Sequence, residues 1–502
     1  MQRNIVTAFV SVVSGHLLGT LVAVVTAPLI VRLLGPSQYG VYATLAAIFG
    51  FIMIVPKSGI HDGLRKFLAE ERSFPDWKDS VFGFYFRLAT LLTVVIAALF
   101  VLLPATPVVE RVLSPTYERY IPLLALWAFV NQYSNYFRNS LMGLKLEHIS
   151  EPLKLLQKVA FGVCAVALAY LGYGITGIIA SHLLAGALVI VASVLVLRNR
   201  LSFDRLRRRT DSGFPMRELT YFNALTVVYI LLLRSLAHVD VVMLEYFTTS
   251  AKVGYYKAAL ILVEFLWFVP VSIQRTMLQS TSELWRRDEQ GQIELLATRL
   301  TRYTLLFTTL LALGLAVLAP TVVPLYYGAE FTPTVLPLLV LIPGTVGFAV
   351  ARPMLAISQA KGQMRLMILA TGVTATLNLG LNLVLIPPYG MVGAALATTV
   401  GYGSLPFVHA LAARKLGYHP LSDLRLGRFA VTAAVGGGTI FAVYALVDSP
   451  LLALVLVPPV GFAVYWLAAL KTRAVDPEEL LTIVEKLPGR VGETATKLRH
   501  YL

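Results

Sequence analysis

Residues 31–42, VRLLGPSQYGVY, lie between two apolar runs, 10–34 and 41–55. Each run is read as a helix crossing a hydrocarbon core of roughly 30 Å. Gly35-Pro36-Ser37 between them then has to be a tight turn at the membrane surface. Such runs recur along nearly the whole chain. With 57% hydrophobic and 14% charged residues, against about 25% charged in ordinary soluble domains, the sequence describes an all-α polytopic membrane protein.

Fourteen spans are expected, at about 8–34, 40–57, 81–103, 121–142, 156–172, 175–197, 219–238, 254–274, 303–325, 333–356, 366–386, 391–412, 428–447 and 450–470. Counting Lys and Arg in the connections puts 32 on the N-terminal side of the bundle and four on the other, Arg32, Arg111, Arg119 and Lys252. Short loops rich in Lys and Arg stay inside the cell, so both termini are expected in the cytoplasm of a multi-pass cell-membrane protein. The formal net charge of +15 follows from that bias, and no nucleic-acid partner is expected. No cleavable signal pattern opens the chain. Cys164, alone of its kind, excludes a disulfide and a thiolate metal cluster. The densest basic stretch, residues 198–209 (RNRLSFDRLRRR), reads as a topology anchor or as a site for anionic lipid headgroups. The tail from Asp476 reads as a short amphipathic helix with Leu480, Leu481, Val484 and Leu487 on one face.

The chain also repeats itself. Gly40-Val41-Tyr42 recurs as Gly254-Tyr255-Tyr256, an offset of 214, and Pro122 recurs as Pro337, an offset of 215. Gly174 and Gly177 recur as Gly390 and Gly393, and Arg198 as Arg414, all at 216. Residues 1–212 and 213–420 are therefore expected to form two six-helix lobes. Spans 13 and 14 (421–470) and a cytoplasmic tail (471–502) are added to them. Six is even, so the repeat is parallel, which suits a two-lobed transporter with its path between the lobes.

Six cations lie inside spans: Lys57, Arg87, Arg138, Arg234, Lys257 and Arg352. Each costs at least about 2.5–3.5 kcal/mol near the bilayer centre, so such groups face a bundle interior or wet cavity, or snorkel to the nearer interface. Lys57, at a helix end, is read as snorkelling. Arg138 and Arg352 are matched by the repeat (offset 214). Together with Arg234, Lys257 and Arg87 they are the candidates for a cationic, anion-selecting cavity. Glu264, deep in span 8, is the candidate coupling site for a proton or sodium ion. Asp240 and Glu245 read as interfacial rather than metal-binding. His16, His182 and His409 read as packed or hydrogen-bonding, as do Asn378 and Asn382. Nothing resembles a P-loop, a GxSxG elbow, a zincin helix or a CxxC pair, so no catalytic, metal or cofactor site is expected.

RLLGPSQYGVYA after the first span, TTSAKVGYYKAA after the seventh, and YGMVGAALAT at 389–398 resemble the signatures of Wzx-type polysaccharide flippases. These belong to the multidrug/oligosaccharidyl-lipid/polysaccharide (MOP) exporter superfamily. The resemblance covers nearly the whole chain, and fourteen spans are usual in that family. It implies a transporter, not an enzyme, with no cofactor. Its substrate would be a polyprenyl-linked oligosaccharide, moved to the outer leaflet by alternating access for polysaccharide or glycoprotein glycan synthesis. Partners would be the bilayer, glycan-assembly proteins and a coupling proton or sodium ion. A cation-coupled multidrug exporter of the same superfamily is the alternative, disfavoured by the cationic excess. A membrane glycan polymerase or ligase is the alternative of another class, disfavoured by short outer loops. A lipid II flippase would share the fold and the charge logic.

Overall fold

The computed structural model describes residues 5–479 except 58, 207, 209, 211 and 212; for 5–17, 222–226, 237, 276, 279 and 364 it describes the backbone alone. The expected tail helix and the His16 side chain thus lie outside the described residues. Among these, sixteen α-helices and no strand occur. In the first half they are α1 (Ile5–Ile52), α2 (Ile54–Lys57), α3 (Ile60–Ala69), α4 (Trp77–Leu102), α5 (Pro107–Val112), α6 (Ile121–Gly143), α7 (Glu147–Tyr170) and α8 (Gly174–Leu197). The second half comprises α9 (Met216–Phe247), α10 (Ser250–Glu264), α11 (Phe268–Arg286), α12 (Gln290–Tyr327), α13 (Val335–Ala360), α14 (Met364–Lys415), α15 (Leu426–Leu446) and α16 (Pro450–Lys471).

Among the described residues, ten helical stretches are long and apolar enough to cross a membrane. The count is eleven if Val227–Leu236 and His238–Phe247, bent by 49°, form one span. Fourteen separate spans are not reached by this measure, for two physical reasons. First, α1 and α14 each run through two expected spans, broken only at Gly35 (φ 67°) and Gly390 (φ 54°). Only glycine adopts a positive φ at little cost, so one residue replaces a loop, and Pro36 then opens the next helix with its preset φ. Second, α6 carries the polar stretch NQYSNYFRNS and falls short in apolarity.

The chain divides into two compact units. Unit 1 holds Met1–Ala258, Tyr326–Phe331 and Leu379–Ala394; unit 2 holds Ala259–Leu325, Thr332–Asn378 and Ala395–Leu502.

Unit 1 has an aromatic core in which Phe82 and Tyr85 of α4 pack with Tyr136 and Phe137 of α6. The arginine-rich stretch docks on it. Phe203 meets Phe82 edge-on at 5.5 Å, and Ser202 N donates to Asp79 Oδ1 at 2.8 Å. Arg205 pairs with Asp76 at 2.7 Å. Nearby, Arg72 grips Glu218 with both guanidinium arms at 2.9 Å. That bidentate bond holds the Glu218 carboxyl below the usual carboxylate range.

At the opposite end of unit 1, the two copies of the glycine motif cross. A Cβ on Gly40 would overlap the Ser250 carbonyl and come within 3.0 Å of Gly254 N. A Cβ on Gly254 would overlap the Pro36 carbonyl and come within 3.3 Å of Gly40 N. Bare glycines let two helix backbones approach this closely. The matched pair Gly174 and Gly390 share a positive φ, 51° and 54°. A Cβ on Gly174 would lie 2.7 Å from Gln38 Oε1, and one on Gly390 would lie 3.8 Å from Lys252 Nζ. Gln38 and Lys252 are themselves 214 residues apart. Gly174→Ala is expected to lower the thermal midpoint by more than Gly172→Ala. Both pay about 1–2 kcal/mol for the left-handed backbone, but Gly172 faces open space.

In unit 2, Leu306, Leu310 and Leu318 of α12 pack against Ile440 of α15 and Val457 and Tyr465 of α16. Tyr465 OH donates to the Leu306 carbonyl at 2.9 Å. About three turns into α12, Arg302 pairs with Asp423 and Glu479, Arg299 Nε lies 2.9 Å from Glu479, and Tyr303 OH also donates to Glu479.

Candidate functional site

The break in span 2 brings a lysine into unit 1. Helix α1 ends at Ile52, α2 runs for one turn to Lys57, and Gly59 (φ 81°) turns the chain into α3. Gln132 of α6 holds this break by donating its Nε2 to the Pro56 carbonyl at 3.0 Å. Lys57 is thereby left inside unit 1, with Nζ 5.3 Å from the Phe49 ring centre.

Other cations gather around Lys57. Arg234 of α9 is near enough to act on it electrostatically. His61 of α3 feels Lys57, Arg65 and Arg138 together, and His61 Nε2 is buried without a hydrogen bond. His238 of α9 feels Lys257 and Arg234. Three sequence candidates, Arg138, Arg234 and Lys257, are thus joined by Lys57, His61 and His238. Arg234 is exposed, while Lys57, Arg138, His238 and Lys257 are half-buried; like charges held partly out of water repel, so such a group is costly unless an anion shares it. Arg138 is anchored weakly, with Nη1 3.5 Å from Ser150 Oγ and 3.8 Å from Met142 Sδ. Buried Glu151 is the acid that acts on Arg138.

One wall of this region is a stack of rings. Phe49 lies on Trp127 at 3.9 Å, Trp127 on His182 at 4.2 Å, and His182 on Phe161 at 4.1 Å. His182 Nε2 also shares a hydrogen bond with Tyr42 OH at 2.9 Å. His182 is a packed, hydrogen-bonded ring, as its apolar sequence context predicts.

The remaining candidates lie elsewhere. Arg352, in unit 2, donates to Gln274 Oε1 at 2.9 Å and sits 4.1 Å over the Phe348 ring. Such a bed suits a cation held at membrane depth. Arg87 turns to the basic stretch and donates to the Arg205 carbonyl at 2.8 Å and to the Arg208 carbonyl. Glu264 ends α10 and is exposed. Asp240 and Glu245 are buried within unit 1. Asp240 is fully buried and takes a hydrogen bond from Tyr256 OH, and Glu245 is 8% exposed.

Sequence reasoning set Lys57 aside as a helix-end snorkeller and did not single out His61 or His238 for the site. The available signal for Lys57 was the proline before it and the glycine two residues after, which mark a broken span. At the glycine-crossing end of unit 1, a polar cavity of about 560 Å³ is lined by Gln38, Thr116, Arg119, Tyr120, Tyr173 and Ser250. Arg119 lies 4.4 Å over the Tyr120 ring. Among the described residues, no group of three or more His, Cys, Asp or Glu is placed to hold a metal ion.

The family model described as polysaccharide biosynthesis protein matches residues 29–336. The chain belongs to that family. Among its relatives is the probable low-salt glycan biosynthesis flippase Agl15 of Haloferax volcanii, 24% identical over 421 residues. That match covers 83% of this chain and 85% of the relative. Lipid II flippase MurJ, in an inward closed conformation, has the same fold, with a TM-score of 0.73 and 14% identity over 93% of this chain and 99% of its own. An inward-facing multidrug-resistance MATE transporter of the MOP superfamily follows, with a TM-score of 0.70 and 15% identity over 81% and 96%. Family, relative and fold bear out the resemblance carried by the motifs, to a flippase of the MOP superfamily. This family member is a helical, multi-span membrane protein, and the relatives named are flippases or transporters.

Proposed function

We propose that the chain moves a polyprenyl-linked oligosaccharide, held through its phosphate or pyrophosphate, from the cytoplasmic to the outer leaflet. The observation that carries this reading is the gathering of Lys57, His61, Arg138, Arg234 and Lys257 within one unit. A lipid phosphate is the anion that relieves their repulsion through charge-assisted hydrogen bonds. The glycan-flippase name of the Haloferax relative and the polysaccharide family support it.

In this reading the lobes 1–212 and 213–420 alternate access. Arg352 is the second lobe's counterpart of Arg138, and spans 13 and 14 (421–470) are added outside the repeat. Both termini, with the tail 471–502, face the cytoplasm of the cell membrane, on the strength of the Lys and Arg count. A proton or sodium gradient drives the cycle, with Glu264 as the coupling candidate, and glycan-assembly proteins supply and remove the substrate. Arg87 supports the basic loop rather than the substrate. The multidrug exporters share the fold, but a cationic drug would meet the repulsion of the cluster, so the anionic lipid is preferred.

Each charge-assisted contact is worth about 1.5–3 kcal/mol. Arg138→Ala combined with Arg352→Ala is therefore expected to cut transport at least about 100-fold. The assay is delivery of a lipid-linked oligosaccharide across reconstituted vesicles, read by a membrane-impermeant lectin. Normal transport by a stably inserted double variant removes the cationic-site reading. In cells, deletion is expected to strand the lipid-linked oligosaccharide on the cytoplasmic leaflet. Unpolymerised repeat units accumulating outside would identify a polymerase instead.

A further inference from the structure

Helix α8, Gly174–Leu197, is apolar enough to cross a membrane. Leu184, Leu188, Val191 and Leu195 are exposed along it. Steps of three or four residues put all four on one stripe of the helix. On a membrane span such a stripe lies against lipid tails. Arg198, three residues after Leu195, continues the stripe, and its backbone N–H still bonds the Val194 carbonyl at 2.9 Å. Arg198 and Arg200 follow the last apolar residue of the span, Leu197, directly, so they lie at the depth of lipid headgroups.

The basic stretch beyond them is held against unit 1. Leu201 is buried in the aromatic core, and Phe203 lies 5.5 Å from the Phe82 ring and 6.2 Å from the Phe137 ring. A Cβ on Gly83 would come within 2.4 Å of the Arg205 carbonyl oxygen, so the stretch rests on bare backbone of α4. Arg87 Nη1 donates to the Arg205 and Arg208 carbonyls. This docking also engages the neighbouring acids, since Asp79 accepts from Ser202 N and Asp76 pairs with Arg205. Arg198, Arg200 and Arg208 are exposed and, among the described residues, form no ion pair. The stretch's own acid, Asp204, is exposed and outnumbered by them. A loop that served only to orient the chain in the membrane would need these charges but not the docking. Guanidiniums held in place at headgroup depth, at the end of a lipid-facing stripe, match the phosphate of an anionic lipid.

We propose that Arg198, Arg200 and Arg208 form a docking surface for the headgroup of one anionic phospholipid, whose acyl chains lie along the exposed stripe of α8. Such binding does not depend on which solute the chain carries.

The test is native mass spectrometry of the purified full-length protein in detergent, titrated with dioleoylphosphatidylglycerol or dioleoylphosphatidylcholine. Wild type is expected to retain one phosphatidylglycerol at a concentration at least about tenfold below that needed for phosphatidylcholine. Arg198→Gln, Arg200→Gln and Arg208→Gln together are expected to abolish that preference. Arg286→Gln, Arg414→Gln and Lys415→Gln, all exposed in unit 2, remove the same charge and are expected to keep it. Gly83→Ala leaves every charge in place but pushes on the Arg205 carbonyl, and is expected to weaken phosphatidylglycerol retention severalfold. If the triple variant does not fold, Arg198→Gln alone decides, with a severalfold loss expected. Equal retention of the two lipids by folded wild type overturns the proposal. So does an equal loss in the unit 2 variant, or unchanged retention in the folded Gly83 variant, either of which leaves only diffuse charge. Displacement of the lipid by millimolar inorganic phosphate overturns it too, in favour of a free-phosphate site.

Discussion

A methyl group placed on Gly40 or on Gly254 is expected to cost the folded protein about 1–3 kcal/mol or more, the usual range for overpacking. The upper end is expected here, because each methyl would strike a backbone carbonyl rather than the tip of a side chain. Carbonyls of Ser250 and Pro36 move only if α10 or the helix after Gly35 moves with them. The two substitutions are also expected to be sub-additive. Each forces the same pair of backbones apart, so the second methyl enters a gap the first has already opened. Gly314→Ala, on α12 with nothing within 4 Å, is the control. It should be neutral or stabilising by up to about 1 kcal/mol, because alanine loses less entropy in a helix. Thermal unfolding of the four variants in detergent reads all of this. Fully additive losses at Gly40 and Gly254 would contradict the crossing.

Arg302→Met is expected to cost about 1.5–3 kcal/mol, the range for losing a charge-assisted hydrogen bond, because Glu479 keeps Arg299 Nε at 2.9 Å. The Arg302 side chain is 1% exposed and its partner Glu479 is 13% exposed, whereas Asp423 is 42% exposed. Asp423 is screened by water once the arginine is gone, so most of the loss falls on Glu479. Adding Glu479→Gln to Arg302→Met should then recover part of the stability, since Arg299, which loses its carboxylate partner, is 39% exposed and screened by water. Tyr303→Phe removes only a hydroxyl donor to Glu479 and should cost about 1–2 kcal/mol. The pairing ties α12 to the segment after α16, so protease cleavage beyond Lys471 should quicken in Arg302→Met. A double variant no more stable than Arg302→Met alone would place the loss elsewhere.

The fold class was legible because membrane insertion leaves few options. Apolar runs long enough to cross a bilayer have to be helical, and the described residues are. The joints were legible too, since Gly35 and Gly390 stand where the apolar runs need to break. Gly35 was read as part of a surface turn and Gly390 as a repeat landmark between two spans, and the structure makes each a single non-helical residue inside one helix. The expected count of fourteen outran the apolar measure for the same reason that α6 is interesting. Its polar face, unsuited to lipid, carries Gln132 and Arg138 into unit 1.

The charges themselves were legible. A charge in a span announces itself by its cost, which is how Arg138, Arg234, Lys257 and Arg352 were found. Where each charge goes was not announced. Lys57 was read as reaching an interface, but the broken helix at Met53 and Gly59 turns it inward under Phe49. Arg87 was read among the cavity cations, but the basic stretch folds back and offers it two carbonyls. Glu245 was read as interfacial, and what its local sequence did not announce is Tyr117, which packs with it from a loop more than 120 residues away.

Residue by residue, then, the sequence alone determined which segments enter the membrane, where charge is tolerated, and which glycines recur 214 and 216 residues apart. Those properties depend on local composition, because solvation by lipid or water acts on each segment separately. The tertiary structure decided that Gly40 meets Gly254, that His61 gathers Lys57 and Arg138, and that Tyr117 packs with Glu245. Such meetings depend on how each helix is rotated about its axis and where its neighbours cross it. A rotation of one residue, about 100° in an α-helix, would carry any of these side chains out of reach while leaving the apolar pattern almost unchanged.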